Sequence, residues 1–131
     1  MSNSVLKDKN DKILNPNIPR YEKRLRKVLW TNPNPSQEMA ADVLFNLSSD
    51  DYDELEWIFS YSTTASNNFS FCCLKGENVT AITIGYNDST LIRRIIDYVN
   101  DKQYKSRVAK WGTSDSNTHV IPVKIIGIKN S

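Results

Sequence analysis

The stretch Glu54–Tyr61 limits the fold more than any other part of this sequence. Leu55, Trp57, Phe59 and Tyr61 alternate with Glu54, Glu56, Ile58 and Ser60. Successive side chains of an extended chain point to opposite faces, so one face collects four large apolar groups and the other is largely polar. On a helix the same residues would be spread around the cylinder, with both glutamates beside core positions. The segment is therefore read as a strand with one buried face. Related patterns recur at Ala41, Val43, Phe45 and Leu47, at Phe69, Phe71 and Cys73, and at Ile82, Ile84 and Tyr86. Gln103–Trp111 and Val120–Lys129 read as the last two strands, with the Ser-, Asp- and Asn-rich stretch Gly112–Asn117 as a loop between them. Turn-forming clusters at Thr31–Pro35, Gly76–Asn78 and Asn87–Ser89 space the strands about 8–12 residues apart, as in an all-β sandwich or barrel.

One segment fits two patterns. In Ser89–Asn100 the residues Leu91, Ile92, Ile95, Ile96 and Val99 fall at helical spacing, with Ser89 placed as an N-cap. As a strand, Ile92, Ile96 and Tyr98 share a face, but Arg94 lies among them. Strands on both sides and the turn-like Asn100-Asp101-Lys102 favour the strand, and a strand is expected.

Charge divides the chain. Residues 1–30 carry eight basic and three acidic side chains, a net +5, whereas the remaining residues are net −3. The basic part includes Asn15-Pro16-Asn17-Ile18-Pro19, and two prolines so close fit neither a helix interior nor a central strand. Residues 1–27 read as an extended docking arm with a short helical turn at Tyr21–Lys27, and residues 28–131 as the β-domain. An arm this polar buries too little apolar surface to fold alone. With 131 residues the chain suits one domain. No apolar run approaches the roughly 20 residues of a spanning helix, so no membrane partner is expected, and no secretory signal is seen at the charged start.

The catalytic inventory is thin. His119 is the lone histidine, so no two-His metal site can form within one chain. The four glycines, at 76, 85, 112 and 127, make no phosphate-cradling loop. Cys72 and Cys73 are adjacent on opposite strand faces and read as unbonded apolar fillers. Asp50, Asp51, Asp53, Glu54 and Glu56 resemble a Ca²⁺ ligand set in density, but Glu54 and Glu56 alternate with core residues, as on the wet face of a strand. No enzyme activity, cofactor or resident metal is expected. Arg20–Lys27 could touch nucleic acid in a salt-sensitive way, yet no aromatic platform is interleaved with it, and nucleic acid is not the favoured partner. Trp111, Tyr86, Tyr98 and Tyr104 fit a sugar-stacking surface, because amphipathic rings suit exposed binding patches, and fit a core or a subunit interface as readily; Tyr86, Tyr104 and Trp111 are kept as the glycan-binding candidates. His119 reads as a surface residue.

The phrase LWTNPNP at Leu29–Pro35, the run ADVLFNLSSDDYDELEWIF at Ala41–Phe59 and the closing HVIPVKIIGIK at His119–Lys129 resemble small β-structured domains of tailed-bacteriophage and prophage tail-fibre, baseplate and head or collar appendage proteins. The likeness spans about residues 29–129 and departs from the pattern at Val123 or Ile126, where an aromatic is more usual. It implies an antiparallel, jelly-roll-like β-sandwich carried by the N-terminal arm. It also implies a virion structural protein, typically a homotrimer, that contacts other virion proteins through its arm and presents its β-domain to the host surface, including host glycans. Pro16, Ile18, Pro19, Arg20 and Tyr21 are then the candidate anchor residues. A monomeric carbohydrate-binding module of prophage origin is the alternative, and an exposed aromatic strip near Asn and Asp would favour it.

Overall fold

The computed structural model describes residues 24–65, 67–86 and 89–130, together with the backbone of residues 6–7 and 13–14. The candidate anchor residues Pro16, Ile18, Pro19, Arg20 and Tyr21 lie outside the described residues. The strands are β1 (Leu6–Lys7), β2 (Ile13–Leu14), β3 (Leu25–Thr31), β4 (Leu44–Asn46), β5 (Glu54–Ser62), β6 (Asn68–Leu74), β7 (Val79–Ile84), β8 (Leu91–Asn100), β9 (Gln103–Ser106), β10 (Lys110–Trp111), β11 (Ser114–Asp115) and β12 (His119–Lys129). No described residue is helical. β1 and β2 form a short antiparallel ladder.

The other strands make two antiparallel sheets packed face to face as a β-sandwich. One sheet has the order β3-β12-β5-β6. The other runs β11-β10-β8-β9-β4, with β7 on the opposite side of β8. The alternation in β5 works as the sequence demands. Leu55, Trp57, Phe59 and Tyr61 are all buried. Trp57 sits at the centre of an aromatic core, edge-on to Phe45 and Tyr104 at 5.4 Å each and stacked with Phe59 at 6.3 Å. Such pairs add about 0.5–1.5 kcal/mol each beyond area burial. On the opposite face of β5, Glu54 and Glu56 form ion pairs with Arg24 and Arg26 across β12. That accounts for two carboxylates of the acidic cluster. The described residues contain no group of three or more His, Cys, Asp or Glu able to hold a metal.

Ser89–Asn100 is a strand, and Arg94 explains why its pattern is ambiguous. Arg94 points inward between Ile92 and Ile96 and is fully buried. Its five N–H donors reach the carbonyls of Val120 (2.7 Å), Arg107 (2.9 Å), Met39 (3.0 Å) and His119 (3.2 Å) and the Ser106 hydroxyl (2.9 Å). Burial lowers its pKa to about 10, which leaves it charged at neutral pH. Across the ladder its partner is Ala81, also fully buried, and a small residue there leaves room for the guanidinium.

That arrangement reverses the expected face of β7. Val79 and Ala81 turn inward, while Ile82 and Ile84 are exposed, as is Tyr86 beyond the strand. Three further expectations need correction. β3 starts at Leu25 and pairs with Lys129, so residues 25–27 belong to the sheet and form no helical turn. The Ala41–Leu47 strand shrinks to Leu44–Asn46, because Asp42 adopts a positive φ of 65° that breaks the extended chain. The Gln103–Trp111 segment divides into β9 and β10, and the loop after it contains β11. Trp111 pairs with Ser114 in a tight hairpin whose Gly112 has a φ of 61°, a conformation open to glycine without strain.

β12 is the central closing strand, and two of its residues show why it tolerates unusual chemistry. Pro122 lies before the first β3 pairing at Lys124, and its carbonyl accepts a hydrogen bond from Asn32 Nδ2 at 2.8 Å. Its missing N–H therefore interrupts no ladder with β3. At Gly127 an added Cβ would lie 2.7 Å from the Tyr52 ring and 2.8 Å from Leu29 Cδ1, so this backbone is covered directly by side chains. Cys72 is exposed, Cys73 is half-buried, and both are free thiols.

Candidate aromatic binding surface

At the end of the sandwich where β5 finishes and β12 begins, four rings form a continuous run. The pairing of His119 with Ser62 brings these strand ends together. Tyr86 stacks on Tyr61 with centroids 4.1 Å apart and planes 20° from parallel. Tyr61 meets the His119 imidazole edge-on at 5.3 Å, and His119 meets Trp111 edge-on at 4.8 Å. Tyr86 is 63% exposed, Trp111 and His119 are half-buried, and Tyr61 is buried beneath them.

The surrounding polar groups hold this run in place. Asn67 Nδ2 donates to the Tyr86 hydroxyl at 2.9 Å, and the Tyr86 backbone N–H donates to the Tyr61 hydroxyl at 3.2 Å. Ser116 Oγ and His119 Nδ1 share a hydrogen bond of 2.6 Å. Burial holds the imidazole pKa below its ordinary value, so the ring is neutral at physiological pH and stacks as an uncharged aromatic. Two residues before His119, the side-chain carbonyl of Asn117 is buried and has no hydrogen-bond partner. A buried acceptor without a donor costs about 1–3 kcal/mol, and such groups are rare in folded proteins. Directly after His119, Val120 adopts a φ of 51°. A β-branched residue in the left-handed region is strained, and the Arg94 hydrogen bonds to the Val120 and His119 carbonyls hold it there. Backbone strain of this kind concentrates at functional sites.

Of the three ring candidates read from sequence, the structure unites two and excludes the third. Tyr86 and Trp111 lie in the run. Tyr104 is fully buried against Trp57 and Tyr98, and its hydroxyl accepts a hydrogen bond from the Gly76 N–H at 3.1 Å. It belongs to the core and cannot stack on a ligand. Burial raises its pKa, as expected for a phenol in apolar surroundings. His119 is no simple surface residue, since it is the link between the two halves of the run. Tyr61 and His119 were missed as site residues. Their one sequence signal was position, an aromatic at the end of the clearest strand and a histidine at the start of the last.

The chain matches no protein-family model, and no curated protein is significantly similar to it.

Proposed function

We propose that this β-domain is a non-catalytic recognition module that binds a glycan on the Tyr86–Tyr61–His119–Trp111 surface. The observation that carries this reading is the exposed Tyr86 ring backed by Tyr61 and continued through His119 to Trp111. Apolar faces of sugar rings stack on such rings, and the exposed Asn67 amide beside Tyr86 supplies a polar group for hydroxyl recognition. The resemblance to phage appendage domains supplies the setting: a virion fibre or appendage subunit, jelly-roll-like and homotrimeric, attached through an arm at residues 1–27 to other virion proteins and displaying this surface to the host. Support for an arm-borne, outward-facing domain comes from the register of β3 on β12: Leu25 pairs with Lys129, at the opposite end of β12 from His119, so the chain enters β3 at the end away from the aromatic surface. A free-standing carbohydrate-binding module would use the same surface, and the aromatic run supports it equally; assembly state separates the two.

The test applies the full-length protein to immobilised lipopolysaccharide and capsular oligosaccharides. Retention is expected, weakened about fivefold or more by Tyr86→Ala and by Trp111→Ala, and unchanged by Tyr104→Phe. No retention on any glycan, or equal retention by the Tyr86 and Trp111 variants, overturns the reading.

A further inference from the structure

A second surface lies at the far end of β12. Gly127, which pairs with Lys27, is eight residues from His119, about 25 Å along an extended strand. There a groove of about 760 Å³ is lined by Lys27, Val28 and Leu29 on one side and by Asn46, Leu47 and Ser48 on the other, with Tyr52 and Lys102 also at its wall. An adjoining groove of about 530 Å³ continues past Leu25, Arg26 and Lys27 to Lys129. Consecutive residues of a strand point to opposite faces. Leu25 to Leu29 can all line one trough only if it runs along the backbone edge of β3. Among the described residues β3 pairs with β12 alone, so that edge presents unpaired backbone groups of the kind that accept an added strand.

The charge around the trough is one-sided. Arg26 is committed to Glu56. Among the described residues no ion pair engages the ammonium groups of Lys27, Lys102 and Lys129, and Asp51 is the one carboxylate lining the trough. Apolar surface adjoins these cations, since Leu25 and Val28 are large exposed side chains. A strand carrying carboxylates alternating with apolar residues matches both features. The chain's own residues 1–23 do not, with five basic and three acidic side chains.

We propose that the trough beside β3 is a docking site for an extended acidic segment of a partner protein, which adds to the free edge of β3 and sets carboxylates against Lys27, Lys102 and Lys129. The site is separate from the aromatic surface and stands whether or not that surface binds glycans.

The test measures fluorescence anisotropy of a labelled decapeptide of alternating Glu and Val with the full-length protein. Saturable binding is expected, about tenfold weaker for Lys27→Gln/Lys102→Gln, whose fold is checked by circular dichroism. A Glu-rich peptide interrupted by prolines cannot add as a strand and is expected to bind weakly. The proposal is overturned if the alternating peptide does not bind, or if the variant binds it equally. Equal binding of the proline-interrupted peptide would reduce the site to a general polyanion surface. Preferential binding of a heparin oligosaccharide would make the occupant a glycan. Displacement of the probe by a peptide of residues 10–23 would make it the chain's own N-terminal segment.

Discussion

Arg94 Nε donates a 2.7 Å hydrogen bond to the carbonyl of Val120, and Val120 is held at a φ of 51° immediately after His119. A cation in the middle of the sandwich thereby fixes the backbone that sets the angle of the aromatic surface. The guanidinium suits this role because its planar fork serves five acceptors on three separate segments, which a lysine ammonium cannot do.

Replacing Arg94 with Leu should therefore destabilise the domain by about 3 kcal/mol, since several buried carbonyls lose their donors. Arg94→Lys should fall between the two. Urea unfolding followed by tryptophan fluorescence reads the difference, and a Leu variant as stable as the parent would show that the guanidinium does not hold these segments.

Gly127→Ala should cost about 1–3 kcal/mol through overpacking, because the new methyl would lie 2.7 Å from the Tyr52 ring and 2.8 Å from Leu29. The penalty should shrink in a Tyr52→Ala background, where most of the clash is gone. Thermal melts of the four proteins in this cycle give the coupling. Simple additivity would place the strain elsewhere.

Stability should fall as pH drops below about 6.5, the imidazole value of an unfolded chain. Burial depresses the His119 pKa in the folded state, so between the two values the unfolded chain holds more protons and acid favours it. Tyr61, Trp111, Ser116 and Thr118 are the groups in contact with the ring, and none is a carboxylate that would favour the charged form. Urea midpoints between pH 7.5 and 5 should decline more in the parent than in His119→Gln. Parallel curves would remove His119 as the titrating group.

Light scattering after size exclusion tests the assembly reading. A trimer of the full-length protein is expected if it is a fibre-type subunit, since a closed oligomer buries sheet edges and exposed apolar groups such as Ile82, Ile84 and Leu91. A monomer would remove the homotrimer and leave the free-standing module.

Local pattern carried the reading of the fold a long way. Strict alternation at Leu55, Trp57, Phe59 and Tyr61 identified the central strand and its buried face without ambiguity. The strand at Leu91–Asn100 was legible only through its neighbours, because a buried arginine in an apolar face looks like an error in the pattern until its five acceptors are seen. The inward turn of β7 was not legible. Ile82 and Ile84 are larger and more apolar than Ala81, and only the space taken by Arg94 opposite makes the alanine the core residue.

The sequence by itself determined that the chain is built of strands, which residues share a face within each, and that its basic side chains gather in the first 30 residues. Those properties follow from the two-residue period of an extended chain and from composition, both of which are local. The tertiary structure alone decided which strands are neighbours, that Tyr104 is core while Tyr86 and Trp111 reach one surface, and that the edge of β3 faces a cationic trough. A period of two assigns sides along a strand but carries no information about the strand beside it. Sites assembled from β5, β7, β10 and β12 appear only when pairing brings their ends together.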